Sequence, residues 1–562
     1  MKKIKDKELF LLLVLLVILK IIIVSVQPIY VQYTMKYDDQ LMVNLANNII
    51  NGNWLGDYNS KTLIKGIITP LFVSFTYILH IPFLIGKEIL YDLACIFFIN
   101  IISKKVKSRK ILFITFLAIL FNPVEYSTEL SRVYRDGIYM SLVIFMIGQA
   151  LGILFTIKED LKVQRKYLIE LGITISAMYL CREENIWIYP FLCFMIASII
   201  IIILLDKKME NKIKRSIQYF IPVIIILINI NIVCILNYKY YGVYELNQYW
   251  GKDFKAAYGA LTRVKPEQEI DRVPVTQDTL EKLYELSPKL SELRDFFNGN
   301  MGKEWQMCGE HISGEINGGY FHWALMNAVE ERGYYKDAKT ANQYYKELAK
   351  EINDLCDKNI IESRSKKRNS NTCYFTIKDI IEVIQKMPET IKYQINLEKV
   401  KMEVTNYLPE TPIEEWKENK QIFEKITRQG IRRKTIYENT WNNMRLQIME
   451  YIEKIYQKTN KYIFNISIVA FLIIFIINMR KKEYTEIIIL LGLMILYLTR
   501  IFLITFTSEE MFKEALNVAY LSNIYSVQYI FSILSILFLA QYIKKLVKKY
   551  KIKKECEIWK KK

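Results

Sequence analysis

Cysteine and histidine are both scarce in this 562-residue chain, which holds eight of the first and three of the second. Only Cys308, Cys356 and Cys373 fall in its one long polar segment, so the sequence allows at most one bridge there and implies no disulfide framework. The histidines have no spacing typical of a zinc site, and we expect them to pack or to lie at the surface.

The chain also has no net positive charge outside a few short basic stretches. These stretches hold 31 Lys and Arg but only 9 Asp and Glu, a net of +22 that exceeds the +19 of the whole chain. The excess therefore indicates membrane topology, since short cytoplasmic loops are rich in Lys and Arg, and no nucleic-acid partner is expected. The stretches are 1–8, 104–110, 157–166, 206–215, 480–483 and 544–562.

Long apolar runs, by contrast, are plentiful, and 52% of the residues are hydrophobic. Many runs approach the roughly 20 residues that cross a hydrocarbon core of about 30 Å, which predicts a multi-pass membrane protein. The first run lacks a small-residue cleavage site and is expected to remain as a signal-anchor. The predicted spans are 9–29, 86–103, 111–122, 137–156, 167–181, 186–205, 216–237, 461–479, 484–505 and 523–543.

Ten crossings with every basic stretch inside place both termini in the cytoplasm. The apolar piece Ile67–Ile81 would reverse that orientation if it crossed, so we expect an interfacial or re-entrant helix. The fold class is thus an all-α polytopic membrane protein with a mostly helical extracytoplasmic insert. Its predicted parts are an N-terminal transmembrane module 1–237 with outer loop 30–66, a helical domain 238–460, and C-terminal helices with a basic tail 461–562.

The outer side carries polar residues close to membrane depth, above all Asp38 and Asp39. A charge at the centre of a membrane helix costs about 2.5–3.5 kcal/mol, so charges held near such depth usually have a partner or a function. The predicted spans 111–122 and 167–181 are short, so the polar segments that follow them should lie below the outer surface. We therefore expect an outward-opening cavity.

The order of these outer segments resembles that of the GT-C superfamily of membrane glycosyltransferases, and in particular the protein O-mannosyltransferases and lipid A aminoarabinose transferases. The resemblance covers mainly residues 1–240 and depends on order and topology more than on any one short motif. The residues that carry it are Tyr37-Asp38-Asp39, Asn51–Tyr58, Lys65–Pro70, Arg135-Asp136-Gly137 and Arg182–Trp187.

The resemblance implies an inverting glycosyltransferase that takes a sugar from a polyprenyl-phosphate carrier. Such a reaction needs a carboxylate beside the acceptor hydroxyl and fixed positive charge beside the phosphate. Asp38 or Asp39 would supply this catalytic carboxylate. The candidates for binding the donor phosphate are Lys65, Arg135, Arg182 and Arg500, and those for binding substrate are Asp57, Asp136, Glu183 and Glu184.

Each candidate also has a plainer interpretation. Asp38 and Asp39 could be a solvated pair or a helix cap, and Lys65 a membrane-surface anchor. Arg182-Glu183-Glu184 could be an ion-paired turn between two spans. Arg135-Asp136 could be a helix-start pair, and Arg500 could extend to the interface.

The expected partners are the lipid donor, a glycan, protein or lipid acceptor, and the membrane itself, which the Ile- and Lys-rich composition suggests is a bacterial plasma membrane. No cofactor is expected, because the resemblance is to metal-independent branches; a divalent cation held by Asp38 and Asp39 is the alternative. Two other functions stay open. A flippase for lipid-linked glycans would favour internal repeats and midplane charges, and none is evident. A non-catalytic scaffold would leave the candidate residues replaceable.

Overall fold

The computed structural model describes residues 7–31, 37–312, 314–364, 366–402, 414–431 and 440–561. Part of the predicted outer loop and of the predicted helical domain, and both chain ends, lie outside these ranges. The described structure is 73% helical, and it contains no strand, only the isolated bridges Val264–Ser363 and Ile312–Glu315. The all-helical prediction is confirmed.

The helices fall into three consecutive groups. The first group is α1 Lys7–Val24, α2 Asp39–Ile50, α3 Ile68–Ile78, α4 Phe83–Ile102, α5 Arg109–Leu120, α6 Arg135–Phe155, α7 Leu161–Cys181, α8 Tyr189–Leu205, α9 Lys212–Ile217 and α10 Ile221–Tyr241. The second is α11 Lys252–Leu261, α12 Gln277–Leu286, α13 Pro288–Ser291, α14 Arg294–Asn298, α15 Asn300–Gln306, α16 Phe321–Glu331, α17 Ala338–Asp357, α18 Ile377–Ile395 and α19 Glu414–Thr427. The third is α20 Thr440–Lys481, α21 Tyr484–Glu510 and α22 Val518–Lys561.

A helix occupies each of the ten predicted spans, but not all of these helices have the length and composition of a span. In the described part of the chain six segments do, or seven if the bent pair α3 and α4 is one span. The remaining helices fail for local reasons: α5 has only 12 residues, and α1 and α7 each contain three or more charged residues. The chain is a multi-pass membrane protein, and the count of ten crossings is not established.

Pro82 marks a real break in the chain after the apolar piece Ile67–Ile81, whereas Pro70 lies in the first turn of α3. α3 and α4 meet at a bend of 108°, and Pro82 stands at the start of α4 with an extended ψ of 138°. A proline cannot continue the preceding helix and restricts the residue before it, so the two helices cannot merge. A bend of this size is what a broken span or a re-entrant segment has, and the re-entrant interpretation was the one expected.

The two larger of three hydrophobic cores divide the described molecule in a way that crosses the predicted domain boundaries. One core joins α2, α3 and the loop between them to α11–α17 of the insert. The other joins the membrane helices to residues 393–400 at the end of α18, where Gln394 hydrogen-bonds to Gln528 of α22 at 3.1 Å. The outer loop is therefore built into the insert, and α18 is built into the helix bundle.

A cluster of five charged side chains, called here the closed cluster, lies inside the first group of helices. Lys20 of α1 contacts Glu88, lies 3.1 Å from Asp92, and is 3.8 Å from Glu125. Lys87 of α4 lies 3.0 Å from Glu125 and also donates to the Leu130 carbonyl at 2.9 Å. No side chain among the five charged residues is more than 2% exposed. The cluster fixes the loop 121–134 against α1 and α4.

Candidate active site

Asp38 stands at the start of α2 but does not act as a helix cap. Its side chain makes no capping hydrogen bond and instead accepts one from Lys65 Nζ at 2.9 Å. The carboxylate is 21% exposed and the ammonium 8%. Burial opposes ionisation of Asp38, but Lys65 and Arg132 outweigh it and hold the pKa of Asp38 below its usual value. Asp38 is thus an ionised carboxylate with an accessible oxygen.

Asp39, its neighbour, is in a different environment. It is fully buried, and Arg132 donates to it from Nη2 at 2.7 Å and from Nε at 3.0 Å. This two-pronged geometry is the strong form of a carboxylate–guanidinium pair, and it fixes both groups. Asp39 therefore holds the loop that carries Arg132 against α2, while Asp38 is the carboxylate that a ligand can reach. The sequence alone did not separate their roles.

The start of α6 and the turn after α7 meet beside Asp38. Arg182 follows α7 and contacts Asp136 of α6, and its Nη2 lies 2.9 Å from Glu184. Arg135 lies 3.3 Å from Glu183. Burial raises the pKa of Glu183, whereas Arg182 overcomes burial and lowers the pKa of Glu184 to about 2. The predicted ion-paired turn exists, and it is also attached to the candidate site.

Arg500 reaches the same place from α21. It is 2% exposed, so it does not extend to the interface, and its Nη2 donates to the Tyr520 carbonyl at 2.7 Å. The guanidinium of Arg182 lies 5.0 Å from the centre of the Tyr520 ring. Tyr520, at the start of α22, thus connects two of the predicted phosphate-binding arginines.

These arginines have hydrogen-bonding capacity to spare. Among the described residues, the Nε atoms of Arg135, Arg182 and Arg500 are buried and have no hydrogen-bond partner. An unsatisfied buried donor costs about 1–3 kcal/mol, so three in one place are unusual for a purely structural network. One carboxylate oxygen, Asp136 Oδ2, is also left over. A surplus of guanidinium donors can bind an anion with several oxygens, as a phosphate has.

Aromatic residues of the insert pack beside Lys65, the partner of Asp38. The Trp323 ring of α16 lies 5.2 Å from Lys65 Nζ, and Tyr37 stacks on Trp323 with ring centroids 4.9 Å apart. Tyr249, which lies just before α11 in the insert, also stacks on Trp323, and their ring centroids are 5.6 Å apart. His322 packs in the same group, and burial lowers its pKa to about 3, so the imidazole is neutral. The expected packing role of His322 agrees with this position.

The structure thus brings together all but one of the residues singled out in the sequence. Asp57 lies apart: its side chain is exposed, and its backbone carbonyl accepts from Thr62 in a turn at 2.9 Å. Sequence reasoning did not single out Arg132, Tyr520 or Trp323 as site residues. Arg132 lies three residues before Arg135 in the predicted outer loop, which was a usable signal, whereas nothing local marked Trp323 or Tyr520.

Two further expectations concern metal and disulfide. No group of three or more His, Cys, Asp and Glu side chains in the described ranges is arranged to hold a metal ion. Asp38 and Asp39 each face a cationic side chain at the distances given above. All seven cysteines in the described part are free thiols, Cys308, Cys356 and Cys373 among them.

No protein-family model and no curated protein sequence matches the chain. Among solved structures it is similar to ArnT from Cupriavidus metallidurans, a lipid A aminoarabinose transferase of the GT-C superfamily. The apo structure matches at 8% identity and a TM-score of 0.31, over 94% of this chain and 76% of that one. The structure bound to undecaprenyl phosphate matches at 9% and 0.32, over 89% and 77%.

Proposed function

We propose that the chain is an inverting glycosyltransferase that moves a sugar from a polyprenyl-phosphate carrier to an acceptor hydroxyl. The observation that carries the proposal is the accessible Asp38 carboxylate beside Lys65, with the unpartnered donors of Arg135, Arg182 and Arg500 close by. An ionised base and an anion-binding cluster are the two elements that this reaction needs. The proposed setting is the outer face of a bacterial plasma membrane, with ten crossings and both termini cytoplasmic.

In the proposed reaction the acceptor oxygen attacks the anomeric carbon as its proton passes to the Asp38 carboxylate. The bond between that carbon and the phosphate oxygen breaks, and the carrier leaves as polyprenyl phosphate with the bonding electrons. Because attack and departure occur on opposite faces in one displacement, the anomeric configuration inverts. The leaving phosphate is already a stable anion, so no general acid and no metal is needed at that oxygen.

The cationic residues would then stabilise charge that grows on the phosphate as the bond breaks. Lys65 contributes a point charge, and the arginines contribute directed N–H donors in a water-poor site, where such donors are most effective. Asp136, Glu183 and Glu184 hold the arginines in place and offset part of their charge. Asp57 remains a predicted substrate-binding residue that its exposed position does not favour.

The test is transfer by purified protein in lipid from a panel of radiolabelled undecaprenyl-phosphate sugars to hydroxyl acceptors. Asp38→Asn should lower turnover by at least about 100-fold, because a general base typically contributes 10²–10⁴-fold. Binding of undecaprenyl phosphate should survive. Asp354→Asn, an exposed aspartate on α17, is the matched control and should keep full turnover.

Two outcomes would contradict the proposal. Full turnover in Asp38→Asn would remove Asp38 as the base. Carrier binding without transfer to any acceptor would favour a flippase, which moves the lipid-linked sugar across the membrane without breaking its bond. That alternative is then measured directly, as movement of the labelled carrier between leaflets of proteoliposomes.

A further inference from the structure

We infer that three aromatic rings beside Lys65 form the binding surface for the sugar being transferred. This inference depends on the proposed function and assigns a role to the insert, which supplies two of the rings. The surface, called here the aromatic wall, consists of Tyr37, Tyr249 and Trp323. Its ligand class is the glycosyl unit of a lipid-linked donor.

The wall has the composition and partial exposure of a carbohydrate surface. Its rings stack on one another with centroids 4.9 and 5.6 Å apart, yet all three remain only partly buried. Rings that serve only as core are normally covered by other side chains. Sugar rings present C–H bonds that pack on the face of an aromatic ring, and aromatic side chains with a few polar groups are the usual lining of small-ligand sites.

The wall also stands at the one place where the transferred sugar has to be. Lys65 would lie beside the donor phosphate and Asp38 beside the acceptor hydroxyl, and because Lys65 Nζ is 2.9 Å from the Asp38 carboxylate, the sugar would lie against this ion pair during transfer. Trp323 has its ring 5.2 Å from Lys65 Nζ, and Tyr37 directly precedes Asp38 in the chain. The wall therefore flanks the ion pair against which the sugar would lie.

Local contacts hold the wall in a fixed position. The Tyr37 hydroxyl donates to Asn327 of α16 at 2.6 Å, one turn after Trp323. Tyr249 and Trp323 both pack against His322, at 4.8 and 4.4 Å between ring centroids. The His322 imidazole is neutral, so it adds bulk without adding charge beside Lys65. A preorganised surface loses little conformational entropy when a ligand binds.

The test compares the binding of bare undecaprenyl phosphate with that of undecaprenyl-phosphate hexose, pentose and aminopentose, by calorimetry in nanodiscs. Trp323→Leu should weaken binding of the preferred glycosylated carrier about fivefold and leave binding of the bare carrier within twofold. Trp323→Phe, which keeps a ring, should lie between. Trp441→Leu, a half-exposed tryptophan on α20, is the control and should change neither.

The outcomes separate this inference from the proposed function. Equal weakening of bare and glycosylated carriers would show that Trp323 only supports the fold, and no weakening of either would also overturn the wall. A rise in the acceptor KM alone would assign the wall to the acceptor instead. If wild type binds the carriers with a sugar preference that Trp323→Leu removes, yet never transfers, the wall stands and the transferase proposal falls. Failure of wild type to bind any carrier would overturn both.

Discussion

The loop 121–134 joins two ionic clusters that differ in which of their buried polar atoms lack a hydrogen-bond partner. At one end Glu125 belongs to the closed cluster, where three carboxyl groups surround two lysines and no side chain exceeds 2% exposure. At the other end Arg132 belongs to the candidate site, where Asp38 is 21% and Glu184 36% exposed. The same loop is therefore held by one cluster and contributes to the other.

The two clusters differ in the kind of buried atom that lacks a hydrogen-bond partner. In the closed cluster of the described structure they are carboxylate oxygens, Glu88 Oε2 and Asp92 Oδ2, which no lysine pairs with. In the candidate site they are mostly guanidinium nitrogens. A surplus of acceptors deep in protein cannot bind a phosphate, whereas a surplus of donors next to an accessible carboxylate can. Burial of charge is common to both clusters, so burial alone does not mark a site.

The largest expected effect is on folding, from Lys20→Met in the closed cluster. The change leaves Glu88, Asp92 and Glu125 buried with one lysine among them, and breaking a buried ionic group in this way costs about 3–5 kcal/mol. We expect a large loss of folded protein and of thermal stability in detergent. The double variant Lys20→Met with Glu88→Gln removes one excess carboxylate and should recover part of both. A stable Lys20→Met protein would mean that the cluster does not hold the fold.

The corresponding change in the candidate site should affect activity more than folding. Arg182→Lys keeps the charge but loses the fork that spans Asp136 and Glu184, and a lysine cannot reproduce bidentate geometry. We expect transfer to fall about 100-fold. Arg294→Lys, at an exposed arginine of α14, is the matched control and should transfer normally. If Arg182→Lys unfolds as readily as Lys20→Met, the contrast between the clusters is lost.

Much of this architecture was predictable because it depends on local patterns. Apolar runs located all six helical segments of the described structure that have the length and composition of a membrane span. The bounds were less certain: α20 begins at Thr440, 21 residues before the predicted span at 461, because a helix does not end where its surroundings change from lipid to protein. Short motifs of neighbouring residues also predicted most of the charged side chains that meet in the candidate site.

The rest of the site depends on long-range packing that no local pattern records. Trp323 meets Lys65 across 258 positions of the chain, and Tyr520 meets Arg182 across 338. Their sequence surroundings are those of ordinary helical residues. Likewise, the proposed division of roles between Asp39 and Asp38 depends on which cation each one faces and on how far each is buried.

A pH measurement should produce a moderate effect in the candidate site. Burial lowers the pKa of Lys65 from its usual 10.5, although Asp38 acts against this. The ammonium is the form that attracts phosphate, so affinity for undecaprenyl phosphate should fall as pH rises through a value below 10.5. Arginine keeps its proton, so Lys65→Arg should move this fall to higher pH, while Lys350→Arg on α17 should not. If the affinity of Lys65→Arg falls over the same pH range as that of wild type, a group other than Lys65 causes the fall.

The smallest effect is expected from Glu129→Gln, which tests whether exposure rather than charge decides the importance of a carboxylate. Glu129 faces the same guanidinium as Asp39, but it lies 3.6 Å from Arg132 and is 35% exposed. Exposed ion pairs contribute about 0–1 kcal/mol, so the unfolding temperature and the turnover of Glu129→Gln should both stay near those of wild type. Asp39→Asn, on the buried side of Arg132, should lower both clearly. Equal losses in the two variants would mean that Arg132 needs both carboxylates, and that partial exposure does not separate supporting charges from dispensable ones in this molecule.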